Sequence, residues 1–233
     1  MLYNTFMNEN TMTSAIIHYL HYHRGITFDV KRLHDWYFKE TNYDSFRKII
    51  SRLSNSGEIT HLGLTLYYNG EIDEMFRYQA VIDYFLKNRH GFYRGNSLLF
   101  ELGIIEEQPM VCEINCNVER GVTCYDVKAV PFGKIGIGDN SSMLEFYCLC
   151  ELMRIEKTVD DDHYEKLVSH MHMLAKEIRF SYLRDKKIAF GVEAPFPRYI
   201  YLKVANFLQP YHLYNEVIEW YEDLQVGKTG EDI

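Results

Sequence analysis

The run Gly57-Glu58-Ile59-Thr60-His61-Leu62-Gly63-Leu64-Thr65-Leu66-Tyr67-Tyr68 holds two short stretches of strand-forming residues about a glycine-containing centre, the pattern of a β-hairpin. Directly before it the period changes. Phe46, Ile49, Ile50 and Leu53 recur at the spacing of one helical face, and Thr41, standing ahead of Asp44 in an acidic form of the capping box, marks where this helix opens. Two further amphipathic segments lie upstream. Val30, Leu33, Trp36 and Tyr37 repeat the helical spacing after Asp29, a good N-cap, until Thr41-Asn42 break it. Ile16, Ile17, Leu20 and His23 share a face of a segment that opens at Thr13 or Ser14 and ends at Gly25.

Helix, helix, helix and hairpin in that order over residues 13–68 predict a winged helix-turn-helix, a fold that presents its third helix to the DNA major groove. Nucleic-acid binding is therefore the first expectation. At about 100° per residue, Asp44, Ser45, Lys48, Ser51, Arg52 and Asn55 point away from the apolar stripe, with Arg47 on its flank. Arg and Lys contact phosphates or guanine edges, and Ser and Asn bond bases or phosphates. Asn42, Tyr43 and Ser45 occupy the N-terminal end, where base contacts are made. The plainer alternative is a solvated helix face, which carries charges of the same kind.

With 233 residues, 47% hydrophobic and 15% aromatic, the chain has material for one or two cores and lacks the composition of a disordered protein. Its net charge of -8 is unevenly spread: Lys and Arg number 7 against 6 Asp and Glu up to Gly70, and 18 against 27 beyond it. A near-neutral reading domain implies a dimer or a specific binder of modest affinity, because non-specific affinity scales with the phosphates neutralised. No secretory signal, lipidation motif or apolar run of about 18 residues is visible, so a cytoplasmic location with no membrane partner is expected.

Five cysteines, Cys112, Cys116, Cys124, Cys148 and Cys150, are odd in number and confined to mid-chain, against a secreted disulfide framework. Zinc is the sharper reading of Cys112, Cys116 and Cys124, but no C-x-x-C pair occurs and Cys112, Ile114 and Cys116 fit one strand face, so buried free thiols are expected and no metal. His18, His21 and His23 cluster on the first helix, and His170 and His172 on a later one. None has a nearby acidic or Cys ligand or an H-E-x-x-H pattern, and surface or half-buried imidazoles are the expectation.

The organisation changes beyond Gly70, which divides the chain into a winged helix-turn-helix domain over 1–70 and an α+β domain over 71–233, with a small sheet at about 110–130 and helices at about 142–225. Helical patterns run over 75–86 and 97–102. Strand patterns follow over 111–115 and 122–130, adjacent or joined as a hairpin through 117–121, and helical patterns return over 143–153, 160–183, 199–208 and 213–224. In 160–183 the apolar stripe runs through Tyr164, Leu167, Val168, Met171, Leu174, Ala175, Ile178 and Tyr182, with acidic residues at its start that suit the helix dipole. From Gly227 the sequence reads as a frayed tail.

Chemistry is sparse in this region. It holds no Walker loop, no G-x-S-x-G elbow and no G-x-G-x-x-G; Gly133-Lys134-Ile135-Gly136-Ile137-Gly138 is glycine-rich but precedes no convincing phosphate-binding helix. Asp126-Val127-Lys128 with Glu113 on a neighbouring strand imitates a nuclease's carboxylates and lysine, yet an alternating strand exposes such residues by default. No nucleophile pairs with a base. The expectation is a non-enzyme without a cofactor.

The run Ser45-Phe46-Arg47-Lys48-Ile49-Ile50-Ser51-Arg52-Leu53, continued through Gly57-Glu58-Ile59 to Leu66-Tyr67-Tyr68, resembles the winged-helix end of the AbiEi-type antitoxin family, whose pattern is of the kind R-K-x-x-S-R-L-x-x-x-G-x-I ending in an aromatic strand. Tyr93-Arg94-Gly95-Asn96-Ser97-Leu98-Leu99-Phe100-Glu101-Leu102-Gly103-Ile104 is similar to the segment before that family's sheet, so the resemblance covers about residues 13–130. It implies a bacterial transcriptional autoregulator that is also the antitoxin of a type IV toxin-antitoxin pair, opposing a nucleotidyltransferase-like toxin. By position, Asn42, Tyr43, Ser45, Arg47, Lys48 and Arg52 would contact double-stranded operator DNA. A palindromic operator and a homodimer follow from the usual helix-turn-helix geometry. The wing tip here, Leu62-Gly63-Leu64-Thr65, departs from family wings that often carry a basic residue, and the C-terminal helices match no family motif. The runner-up is therefore a protein-interaction module whose winged helix no longer binds DNA.

Overall fold

A computed structural model describes residues 9–132, 141–178 and 195–229 of a mixed α+β chain that divides into two units, Met1–Tyr84 and Phe85–Ile233. The glycine run from Gly133 to Gly138, Tyr182 with the rest of the predicted helix beyond Ile178, and Glu193-Ala194 lie outside the described residues.

The first unit runs α1 (Glu9–Tyr22), β1 (Thr27–Asp29), α2 (Val30–Tyr37), α3 (Tyr43–Asn55), β2 (Thr60–Gly63), β3 (Leu66–Tyr68) and α4 (Glu74–Asp83). It ends later than Gly70, for α4 belongs to it: Val81 and Ile82 are buried, and the Ala80 carbonyl accepts a hydrogen bond from the Thr27 hydroxyl at 3.3 Å. The strands form an antiparallel sheet in the order β1-β3-β2. A core made by Met12, Ile16, Leu20, Val30, Leu33, Phe46, Ile49, Ile50 and Leu53 joins the first three helices, with Phe28 and Ile59 from the sheet side.

The apolar stripe of α3 is the one expected, while the first two helices differ. α1 opens at Glu9 rather than at Thr13 or Ser14, and its buried stripe is Met12, Ile16 and Leu20; Ile17 lies off that line and is 42% exposed. In α2, Trp36 and Tyr37 face outward and His34 is buried in their place, its Nε2–H donating to the Thr41 carbonyl at 2.9 Å. The cap of α3 is Asn42, not Thr41: the Asn42 side chain accepts from the Ser45 N–H at 3.0 Å, while the Thr41 hydroxyl donates back to Phe38 at 2.6 Å. β1 has no counterpart in the predicted elements, being too short to show a period.

Two polar side chains tie these elements together. Asn69, buried just after β3, donates from Nδ2 to the carbonyls of Leu20 at 2.6 Å and His23 at 2.5 Å, satisfying backbone acceptors at the end of α1. Its own backbone exchanges 2.9 Å hydrogen bonds with Gly25 and Ile26. Asp29 caps α2 by accepting from the Arg32 N–H at 2.9 Å, and its other oxygen accepts from the Thr65 hydroxyl at 2.5 Å. Because the Val30 N–H also donates to the Thr65 carbonyl at 2.9 Å, the hairpin turn is pinned to the start of α2.

The second unit contains β4 (Phe92–Tyr93), α5 (Asn96–Glu101), β5 (Cys112–Cys116), β6 (Val122–Cys124), β7 (Val127–Pro131), α6 (Ser141–Ile155), α7 (Asp161–Glu177), α8 (Arg198–Leu208) and α9 (Tyr214–Thr229). Its sheet has the order β4-β5-β7-β6, with β5 and β7 parallel. The single strand expected over 122–130 is thus a hairpin: Tyr125 and Asp126, with φ of 49° and 58°, make a two-residue turn inside the run. β7 then lies between β5 and β6, so the expected adjacency of the two runs holds through 127–130, which pair with β5 in parallel, while β5 and β6 are not neighbours and 117–121 closes no hairpin. Glu113 stands opposite Lys128 in the parallel register and pairs with it at 2.6 Å, while Asp126 is in the turn, so the nuclease-like trio is a cross-strand ion pair beside a turn residue.

Helix α6 is the centre of this unit. Phe146, Tyr147, Leu149, Cys150, Leu152 and Met153 are buried against Leu167, Met171 and Ala175 of α7, Ile200, Tyr201 and Val204 of α8, and Val217 and Trp220 of α9. Tyr164, counted on the α7 stripe, is exposed. α9 continues to Thr229, past the Gly227 at which a tail was expected, since one helical glycine costs only about 1 kcal/mol. Glu151 is 1% exposed and linked on both sides: its carboxylate accepts the Gly95 N–H at 2.9 Å and holds Arg154 through Nε at 2.8 Å and Nη2 at 2.5 Å. All five cysteines are free, and burial pushes the Cys116 thiol up to about 12.

Gly91 sits where a Cβ would lie 2.6 Å from the Phe85 carbonyl oxygen and 2.7 Å from Ile114 Cγ2. Gly91→Ala is expected to lose roughly 1–3 kcal/mol of stability, read as a lower midpoint of urea unfolding; an unchanged midpoint would contradict this contact geometry. Asn69→Ala strips the Leu20 and His23 carbonyls of their side-chain donor and is expected to lose about 1–3 kcal/mol in the same assay. Asn69→Ser, which keeps a single donor, should fall between Asn69→Ala and the wild-type chain.

Candidate nucleic-acid interface

One turn of α3 after its Asn42 cap, the helix offers its outer face to the hairpin. Tyr43, Asp44, Arg47, Lys48 and Ser51 line an open cleft of about 530 Å³, closed on the other side by Leu64, Thr65 and Tyr67 and floored by Val30 and Ile50. The stripe of Phe46, Ile49, Ile50 and Leu53 explains the orientation, because burying those four side chains turns Arg47, Lys48, Ser51 and Arg52 to solvent. Among the described residues, no carboxylate forms an ion pair with Arg47 or Lys48.

Tyrosines flank Arg47 in this cleft. Burial raises the pKa of both the Tyr43 and Tyr67 hydroxyls, and the Arg47 charge opposes the shift at each. Both therefore remain protonated donors at neutral pH, able to bond an anionic oxygen. With two cations and the hydroxyls of Tyr43, Ser51 and Tyr67, the cleft has the donor chemistry that phosphate contacts use; the Thr65 O–H is already donated to Asp29, and Asp44 is the one carboxylate among the lining residues.

The six residues expected at the interface are not all in one place. Tyr43, Arg47 and Lys48 share the cleft. Asn42 and Ser45 stand at the helix start, where the Asn42 side-chain oxygen is engaged by the Ser45 N–H, and Arg52 is exposed further along the outer face. Sequence reasoning missed Thr65 and Tyr67. The strand alternation of Leu66 in and Tyr67 out carried a signal for Tyr67, while Thr65 is placed by its bond to Asp29, 36 residues away. At the hairpin tip, Leu62 is buried and Leu64 is 58% exposed with a φ of 53°, and the His61 imidazole Nε2–H donates to the Leu64 carbonyl at 3.2 Å.

No grouping of three His, Cys, Asp or Glu suited to a metal ion occurs among the described residues, and none of their helices is long and apolar enough to cross a membrane. Compared with known proteins, the sequence matches no protein-family model and no curated protein.

The left-handed backbone at Leu64 is strained for a side chain that buries little surface. Leu64→Gly is expected to raise stability by about 0.5–1 kcal/mol and Leu64→Val to lower it, measured as urea midpoints; equal midpoints for the two variants would show that the tip is not held in this conformation.

Proposed function

We propose that the first unit is a winged helix-turn-helix, with α3 as the recognition helix and the β2–β3 hairpin as its wing, and that the chain is a non-enzymatic DNA-binding transcriptional regulator. The observation that carries this reading is the pair Arg47 and Lys48, both exposed and without a carboxylate partner among the described residues, beside the hydroxyl-lined cleft between helix and hairpin. Phosphates of a duplex supply the missing counter-charge, and binding them releases the duplex's condensed cations. Tyr43 and Ser45 near the helix start are the candidates for base edges; Arg52 extends the cationic face. The resemblance of the α3-hairpin sequence supports the narrower proposal that the protein autoregulates its own operon as a type IV antitoxin, with a palindromic operator read by a homodimer and a nucleotidyltransferase-like toxin as partner.

A protein-interaction module is the competing reading, and the exposed Leu64 at a tip without a cation is the observation that favours it. The two separate in one experiment. Purified protein is titrated over a salt series against a duplex from upstream of its own gene and a scrambled duplex. The regulator reading expects preference for the upstream duplex, and Arg47→Ala with Lys48→Ala should weaken binding and flatten the slope of log K against log salt by about 2. Equal weak binding to both duplexes, or a slope unmoved by the double variant, would overturn it.

A further inference from the structure

Tyr43, Arg47 and Ser51 stand four residues apart on α3 and form the row that lines the cleft, with Asp44 and Lys48 in the row beside it. Tyr67 closes the other side from β3, the middle strand of its sheet. Both phenol rings are held by packing. Tyr67 is paired in register with Phe28 and His61, its ring 6.0 Å from the first and 4.7 Å from the second between centroids. The Tyr43 ring meets the buried His34 edge-on at 5.1 Å, and His34 is fixed in turn by its bond to the Thr41 carbonyl. Neither hydroxyl makes a hydrogen bond to a described residue. Two donors on rigid rings, one from each wall and with Arg47 between them, are preorganised for an anion and lose little freedom in binding it. The remaining groups are occupied or lie further out. The Thr65 hydroxyl is donated to Asp29, whose other oxygen accepts the Arg32 N–H, and Asp44 shares the outer row with Lys48.

We propose that the cleft is a seat for one phosphate diester of a DNA duplex, received by the Arg47 guanidinium together with the hydroxyls of Tyr43 and Tyr67, and that Tyr67 is the positioning residue of the hairpin. The inference rests on the reading of α3 as the helix that meets DNA. A diester carries a single negative charge, which the single guanidinium of the inner row matches. The phenols divide the work with it: a neutral donor displaces no condensed cation, so the hydroxyls supply direction and Arg47 supplies charge. A phosphate gripped from helix and hairpin at once fixes the orientation of α3 on the duplex.

Tyr43→Phe and Tyr67→Phe of the full chain test it, since each removes a hydroxyl and keeps the ring. At a given salt concentration each variant is expected to bind the upstream duplex about tenfold more weakly, with the slope of log K against log salt unmoved, whereas Arg47→Ala alone should flatten that slope by about 1. Replacing single phosphates of the duplex with neutral methylphosphonates then locates the seat. At one position or more the replacement should weaken the wild-type chain and weaken Tyr67→Phe clearly less, because charge and hydroxyl act on the same phosphate. Phe variants that bind like the wild-type chain, a slope that falls with the hydroxyls, or methylphosphonate losses that add to those of Tyr67→Phe at every position would overturn the seat. Preference for the upstream duplex with unaffected Phe variants ends the seat alone. Equal binding to the upstream and scrambled duplexes ends the regulator reading, and the same variants still decide the seat; binding to neither duplex overturns both.

Discussion

Asn69 is the point on which the first unit turns. A helix ends with carbonyls that have no partner of their own, and burying them unpaired is costly. Here one side-chain amide, arriving from the far end of the hairpin, bonds the Leu20 carbonyl, which also accepts from the His23 N–H, and the His23 carbonyl just past the helix, while the Asn69 backbone locks to Gly25 and Ile26. The closing strand of the sheet is thereby held to the end of the first helix. Asp29 repeats the device at the other end of that strand, using one oxygen as the cap of α2 and the other as acceptor for Thr65. Both ends of β3 are thereby tied to α1 and α2, and packing of Ile59 and Tyr67 on the core shared with α3 completes the placement of the hairpin.

The cleft between α3 and the hairpin unites features that are individually ordinary. An exposed arginine is hydrated and stabilises little. Arg47, however, lies between two half-buried tyrosines whose hydroxyls are kept protonated, with Lys48 and Ser51 on the same face and Thr65 opposite. From the hairpin side the cleft receives the Tyr67 hydroxyl and no cation, the Thr65 O–H being donated to Asp29.

The second unit is organised differently, around a helix buried on several sides. Phe146, Tyr147 and their neighbours on α6 meet Tyr201, Phe196 and Trp220 in an aromatic cluster, with edge-on contacts such as Phe146 to Trp220 at 5.0 Å. Into this apolar setting α6 also carries Glu151. Its carboxylate is tolerable there because Arg154 and the Gly95 N–H satisfy it, and through Gly95 the helix is bonded to the chain entering α5.

By itself the sequence determined what depends on neighbours a few residues away: the stripe of α3, the N-cap at Asp29, the hairpin over 60–68, the outward direction of Arg47, Lys48, Ser51 and Arg52, and the free thiols. Helical and strand periods are local properties, and burying one face of α3 dictates the other. Tertiary structure decided the rest. Which residues complete the buried stripe of α1, whether Thr41 or Asn42 caps α3, where the strand pattern over 122–130 folds back on itself, and where the first unit ends all turn on partners distant in sequence. So does the cleft: Thr65 reaches it through Asp29, and Tyr67 through the sheet, because hydrogen bonds and packing across such separations leave no period for a linear reading to find.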